Sequence, residues 1–336
     1  MKAIVYRRHG EPSEVLAYED VDVPAQPGID EVTVRVTKRV VHPVDNLFVR
    51  GIMQAPIPPA GVVPGGDGVG VIERVGSGVD ASTGIAPGKR VILFPVRGTW
   101  IERVVAPVSA VFPIPDDVSD AIACQAIING IAALTVLRAA SAAESSAGTA
   151  SPLLVTAAGS SVGRNVIALA QMRGAKVVAV VRSEAGAVIL RQSMLDLPVL
   201  TTDREGWREA VTAACGGAPS VAIDPTGGEM TAKFLDLLAD GGTLLTYGGL
   251  DPRPSPISTI AMTRRQLTLK GTNTAGWLRT SREQRVSDIA ELFEMTRRAP
   301  QNFVDYREFA LADAAQALAA SHATPRRGAT ILTSGA

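Results

Sequence analysis

Along the first 119 residues, short apolar stretches with polar residues between them are broken by turn residues. "KAIVYRR", "EVTVRVTKRVV", "GVGVIERVG", "KRVILFPV" and "TWIERVVAP" read as strands, divided by signals such as "QPGID" and "APGKR". Helical periodicity is nearly absent before Ser119. The pattern predicts a compact, irregular β-barrel or sandwich.

The pattern changes at Asp120. "AIACQAIINGIAALTVL" (121–137) is the most apolar long run. Gln125, Asn129 and Gly130 interrupt it, which predicts a buried helix and no membrane span. The small-residue stretch "AASAAESSAGTASP" (139–152) predicts a flexible surface loop. Six short apolar strands follow: "PLLVTAA", "AKVVAVVR", "LPVLTT", "SVAIDPT", "GGTLLTYGG" and "QLTLKGTN". Helical segments such as "RNVIALAQMRG" and "AGAVILRQSML" separate the early ones. Buried strands alternating with helices predict an α/β doubly wound parallel sheet covered on both faces. A long helix, "SREQRVSDIAELFEMTRRA", comes next. The last stretch reads strand, helix, strand, and its closing strand is expected to return to the N-terminal domain. The domains are therefore expected at 1–119 with 304–336, and at 120–303.

Composition narrows the function. Lys+Arg and Asp+Glu both number 33 in 336 residues, so the formal charge is zero, which argues against a nucleic-acid partner. Cys124 and Cys215 are the two cysteines and form no disulfide or Cys-x-x-Cys pattern, so a reducing cytoplasm is expected and both read as small buried hydrophobes. The start "MKAIVYRRHGEPSEVL" lacks the apolar run of a signal peptide.

One turn carries chemistry. In "TAAGSSVGRNVIALAQ" (156–171), Gly159, Ser160, Ser161, Val162 and Gly163 lie between a strand and a helix. A helix N-terminus there offers N–H groups and a positive dipole end to a pyrophosphate. Gly163 permits close packing of helix on strand. Ser161 stands where the middle glycine is usual, adding a hydroxyl but losing the freedom of glycine at positive φ. At the tip of the next strand an NAD enzyme usually places Asp or Glu. Here the tip carries Arg182 and Ser183, and a guanidinium there suits a 2′-phosphate, so NADPH is the expected cofactor. Glu184 argues the other way, and Arg191 is a second candidate for the phosphate.

Domain order and motifs resemble the medium-chain dehydrogenase/reductase superfamily over essentially the whole chain. The carriers are "VHPVDNLFVRG", "VPGGDGVGVIERVGSGV", "GTWIERVVAP", "AIINGIAALTVL", the turn above, "LLTYGGL" and "LKGTN". The resemblance implies a GroES-like catalytic domain, a Rossmann domain and a cleft for the nicotinamide between them. It also implies cofactor contacts from Asn129, Tyr247, Gly248, Gly249 and Asn273. The zinc-dependent members need ligands that this chain lacks. Val41 stands where a Cys is expected, their "GHE" is Gly65, Gly66 and Asp67, and the four-Cys lobe is missing. His42 beside Asp45 reads as a loop histidine, and no metal is expected.

Among the zinc-independent branches the chain looks closer to the 2-enoyl thioester reductases. The turn has their x-x-S-x-V-G pattern, the next strand ends "VVRS", and Asn129 occupies the place of their Asn-Pro pair, with Gly130 for the Pro. Their tyrosine, which serves the substrate carbonyl or the proton transfer, is replaced by Met53 beside Ile52. The expected activity is NADPH-dependent reduction of a C=C bond conjugated to a carbonyl or acyl group of a small molecule. Asn129 is expected to hold the nicotinamide or an oxygen. Asp45 either orders the pocket or caps a turn. Trp277, Phe48 and Met53 either line an apolar pocket or pack a core. A quinone oxidoreductase, whose product is protonated by solvent, is the alternative. An NADPH-binding protein without turnover is the third reading. A homodimer is expected through the edge strand "QLTLKGTN".

Overall fold

The computed structural model describes residues 1–147, 151–194, 196–323 and 328–335. The chain divides into two compact units, Met1–Ile128 with Ile289–Ala336, and Asn129–Asp288. Both divisions fall inside helices, Asp120–Ala147 and Arg282–Arg298, so each of these helices belongs partly to each unit.

The first unit is β-rich. Its main sheet runs Tyr306–Ala310, Ala329–Thr333, Glu31–Val40, Gly68–Val75, Arg90–Leu93 and Val111–Pro113, with Arg103–Pro107 also paired to Glu31–Val40. The closing strand does return: Ile331 pairs with Val40 and Thr333 with Lys38, antiparallel. Alternation along Glu31–Val40 places Val32, Val34 and Val36 in one core with Ile72, Val91 and Leu93. Arg39 is fully buried on the same strand. It donates from Nε to Thr99 O at 3.0 Å, and from Nη2 to Ile101 O at 2.6 Å and Ser334 Oγ at 2.8 Å. Burial lowers its pKa to about 9, against smaller opposing pulls from Cys124 and Glu102.

Two helices lie where helical periodicity was not expected, Pro12–Val15 and Pro43–Val49. Each is too short to show a repeat, and each starts on a proline whose fixed φ suits a first helical position.

The second unit has six strands, all parallel, in the spatial order Val199–Thr201, Val177–Val181, Leu153–Val155, Val221–Ile223, Thr243–Thr246, Thr268–Gly271. Counted along the unit this is 3-2-1-4-5-6, the doubly wound dinucleotide order. The order reverses between the first and fourth strands, where crevices for ligands form at the carboxyl ends. Leu154, Val178, Val180, Ala222 and Leu244 form the core with Phe234 and Leu235 of the Gly228–Leu237 helix.

The expected loop at 139–152 is corrected in its first nine residues. The helix begun at Asp120 continues to Ala147, and residues 148–150 lie outside the described residues. Alanine is the strongest helix former, so the Ala-rich stretch prolongs the helix. Its Asp120–Ser145 portion is long and apolar enough to cross a membrane by length and composition, and 67% of its most apolar window is buried within the folded chain. Cys124 and Cys215 are both buried free thiols.

Candidate functional site

The first strand of the parallel sheet ends at Val155, and the helix Ser161–Met172 starts six residues later. Ser160 is its N-cap, in extended conformation, and its Oγ accepts from Gly163 N at 3.1 Å. Arg164 N bonds Ser160 O at 2.9 Å. Among the described residues nothing accepts from the N–H groups of Ser161 and Val162, which stay open at the helix mouth with the positive dipole end. A Cβ on Gly159 would meet only Val181 Cγ1, at 3.9 Å, so the backbone there is open to close approach. A Cβ on Gly163 would come within 2.7 Å of Ala157 O and 3.0 Å of Ala158 Cα.

The strained position of the turn differs from the one expected. Ala157 has φ 46°, in the left-handed region, at a cost of about 1–2 kcal/mol for a residue with a Cβ. Ser161 is the first residue of the helix itself. It needs no positive φ, so nothing is lost by serine there.

Behind the turn, Asp224 holds the crevice. It is fully buried after the fourth strand and accepts from three threonine hydroxyls. Thr156 and Thr226 bond Oδ1, the latter at 2.6 Å, and Thr231 bonds Oδ2 at 2.5 Å. Sequence reading missed this network. Its only sign was a lone Asp at a strand end, with its partners up to 68 residues away.

At the second strand tip, Arg182 is exposed and makes no side-chain bond among the described residues. Ser183 precedes the Glu184–Ser193 helix without capping it by its side chain. At the fifth strand tip, the Tyr247 hydroxyl is buried beside Ser160 with no fully formed hydrogen bond. Burial pushes this phenol well above its ordinary pKa, and the Ser160 hydroxyl partly offsets that. Gly248 and Gly249 follow, both exposed, and Thr246 Oγ1 donates to Gly248 O at 2.8 Å. Asn273 lies beyond the sixth strand, where its Oδ1 accepts from Ala275 N at 3.0 Å in an Asx turn. Asn129 is half-buried on the long helix. The parallel sheet thus gathers the Gly159–Gly163 turn, Arg182, Ser183, Tyr247, Gly248, Gly249 and Asn273 at its carboxyl edge.

Trp277 is enclosed at 1% exposure. Its Nε1 donates to Asp288 Oδ2 at 2.7 Å, and the same carboxylate binds Arg138 and Gln284. A ring so enclosed serves this buried polar cluster and presents no face as a pocket wall.

In the first unit, the Pro43–Val49 helix is capped by His42. Neither His42 nor Asp45 is a plain loop residue. Asp45 Oδ2 accepts from His42 N at 2.7 Å, and His42 Nε2 lies 3.1 Å from both oxygens of Asp67. All three side chains are buried. Burial, helped by the nearby Asp67 charge, raises Asp45 to about 6 against the opposing pull of His42. The His42–Asp67 pair spans 25 residues between two turns, and no local motif announces it. Met53, Ile52 and Phe48 are instead exposed, at 50%, 62% and 38%, an apolar group open to contact.

The raised Asp45 gives a pH signature. Its folded value exceeds the ordinary 3.8, so the folded state holds the extra proton between about pH 4 and 6. The stabilisation is complete below pH 4 and is lost as pH rises through 6, about 3 kcal/mol in all. Asp45→Asn keeps the acceptor for His42 N–H but carries no charge. Urea melts from pH 4 to 7.5 should show the variant gaining on the parent as pH rises. Parallel curves would refute the assignment.

Residues 28–116 match the alcohol dehydrogenase GroES-like domain model, and residues 161–294 match the zinc-binding dehydrogenase model. The mitochondrial enoyl-[acyl-carrier-protein] reductase of Xenopus tropicalis is 30% identical over 312 residues, covering 88% of this chain and 85% of that protein. The chain belongs to the medium-chain dehydrogenase/reductase superfamily.

Within that superfamily it falls in the zinc-independent branch. A mycobacterial protein solved in complex with NADPH superposes with a TM-score of 0.84 at 26% identity, covering 99% of this chain and all of that one. A mycobacterial quinone oxidoreductase superposes with a TM-score of 0.81 at 26% identity, covering 99% of each. Among the described residues no three His, Cys, Asp or Glu side chains gather as metal ligands. The superfamily's first ligand region here supplies Val41 and the buried His42, and Asp67 is engaged by His42.

Proposed function

We propose that the protein is an NADPH-dependent reductase of a C=C bond conjugated to a carbonyl or acyl group. The observation that carries the reading is the open helix mouth at Ser161 and Val162, capped by Ser160 at the reversal point of the sheet. The residues fit a dinucleotide. Gly159 leaves room for a pyrophosphate, Arg182 is free for a 2′-phosphate, and the Tyr247 hydroxyl lacks a full partner beside the turn. Similarity to an enoyl-[acyl-carrier-protein] reductase supports the substrate class. Bound NADPH supplies the hydride.

The chain's own residues have three tasks. Ser160 to Gly163 hold phosphate oxygens. Asn129, Tyr247, Gly248, Gly249 and Asn273 serve the nicotinamide end. Phe48, Ile52 and Met53 are an exposed apolar group of the first unit, suited in chemistry to an acyl or ring portion of a substrate. Hydride addition leaves charge on the substrate carbonyl oxygen, which a hydrogen-bond donor must stabilise. Met53 cannot donate. That absence favours the second reading, a quinone acceptor, whose oxygens take protons from solvent.

NADPH consumption, with NADH in parallel, against enoyl thioesters, enones and quinones tests the proposal. A saturated C–C product supports the first reading and a quinol the second. Tight binding of NADPH with no oxidation of it would defeat both and leave a binding protein. Arg182→Ala should raise KM for NADPH about 10-fold or more, the worth of a charge-assisted hydrogen bond, and leave NADH nearly unchanged. Equal effects on both would remove Arg182 from the phosphate site.

We also read the protein as a cytoplasmic homodimer. The edge strand Thr268–Gly271 is exposed at every residue and paired on one side only, a template for its own copy across a two-fold axis. The two free thiols fit a reducing compartment. Light scattering at the monomer mass would remove the dimer.

A further inference from the structure

Three arginines and two carboxylates, Glu184 and Asp203, lie where the Val177–Val181 strand ends. Glu184 uses both carboxylate oxygens. Oε1 accepts from Arg191 Nη1 at 2.6 Å and Oε2 from Arg204 Nη2 at 3.0 Å. The two arginines come from different elements. Arg191 lies two turns along the same helix, and Arg204 follows the Val199–Thr201 strand. Arg191 is anchored further, donating from Nη2 to Val199 O at 2.7 Å. Arg204 makes no other side-chain hydrogen bond among the described residues, is attracted by the neighbouring Asp203 charge, and is 68% exposed. Asp203 Oδ2 accepts from Glu184 N at 3.2 Å and fixes the start of the helix. Arg182, at the strand tip two residues before Glu184, makes no side-chain hydrogen bond or ion pair among the described residues.

We propose that Glu184 is the internal counter-anion of a ribose 2′-phosphate clamp built from Arg182, Arg191 and Arg204, and that it moderates the affinity this clamp has for 2′-phosphorylated nucleotides. The proposal rests on the reading of this strand tip as the adenosine end of the cofactor site. A phosphate offers more charge and one more acceptor oxygen than a carboxylate, so it competes for the same guanidinium forks. Arg204, held by one bond, is the arm that transfers. Arg191 stays in place on Val199. Glu184 keeps the arginines positioned in the free protein and opposes the incoming phosphate by like charge. Two guanidinium groups already neutralise its charge, which leaves it a weak acceptor for a ribose 2′-hydroxyl. An unphosphorylated ribose therefore gains little from it.

Titration calorimetry of the full chain with adenosine 2′,5′-bisphosphate and adenosine 5′-monophosphate isolates this end of the site from catalysis. The parent should prefer the bisphosphate. Glu184→Gln should tighten the bisphosphate about 5-fold and leave the monophosphate within about two-fold, a modest gain because the cluster is solvent-screened. Arg204→Ala should weaken the bisphosphate by a similar factor. Thermal melts of both variants separate binding from folding. Weaker or unchanged bisphosphate binding in Glu184→Gln, or equal tightening of both ligands, overturns the clamp while leaving the NADPH reading intact. A bisphosphate affinity unaffected by Arg204→Ala overturns it too. A parent with no preference for the bisphosphate removes the NADPH reading, and the clamp with it.

Discussion

Gly163→Val is expected to abolish NADPH binding and to destabilise the nucleotide-binding unit by about 3 kcal/mol or more. The added Cβ alone would stand 2.7 Å from Ala157 O and 3.0 Å from Ala158 Cα. Both are backbone atoms of the turn, so neither can swing aside as a flexible side chain would. The helix must lift from the strand, and it carries the open N–H groups of Ser161 and Val162 with it. Gly163→Ala should show the same effects in smaller measure. Gly174→Ala is the control. It has φ 77° but open space around its Cβ, so it loses about 1–2 kcal/mol from backbone strain and keeps the cofactor. Thermal melts with and without NADPH measure both quantities. Parental affinity in Gly163→Val would show that the turn does not hold the nucleotide.

What the sequence makes legible follows from range. The strands of the parallel sheet are short runs bounded by turn residues, and in those inside the exposed edge strand Thr268–Gly271 burial writes an apolar pattern locally. The Gly159–Gly163 turn was equally visible because its meaning depends only on the strand before it and the helix after it. The conformation within the turn was not. Serine at 161 reads as a missing glycine, yet Ala157 takes the positive φ, and an alanine gives no sign of it. Composition misled at 139–147, where alanine and serine suggest a linker until the preceding helix is seen to run through them. Long-range polar contacts left the least trace. His42 meets Asp67, and Glu184 meets Arg204, only because separate turns are brought together by the sheets. Neither pair has a spacing that an isolated segment could reveal.

Asp224→Ala is expected to cost about 3–5 kcal/mol, counting hydrogen bonds to a charged acceptor at about 1.5–3 kcal/mol each with partial relaxation of the site. The carboxylate is fully buried. Thr156, Thr226 and Thr231 give it their hydroxyls, and Thr226 N approaches it at 3.3 Å. Truncation leaves the buried Thr156 and Thr231 hydroxyls without an acceptor, which costs more than the bonds were worth net. The damage is also positional. Thr156 follows the first strand directly, next to Ala157 in its strained conformation. Thr231 Oγ1 accepts from Gly227 N at 2.9 Å, where the next helix begins. Asp224 therefore ties together the two chain segments on either side of the reversal point, and losing it loosens the floor of the nucleotide crevice. Asp224→Asn separates the two contributions. It retains one acceptor oxygen for Thr156 and Thr226 but turns a donor toward Thr231, so it should fall between the parent and Asp224→Ala. Melting temperature and NADPH affinity should decline in that same order. A stable Asp224→Ala protein with parental affinity would mean that the threonines are satisfied by water and that the strain at Ala157 is held by the sheet alone.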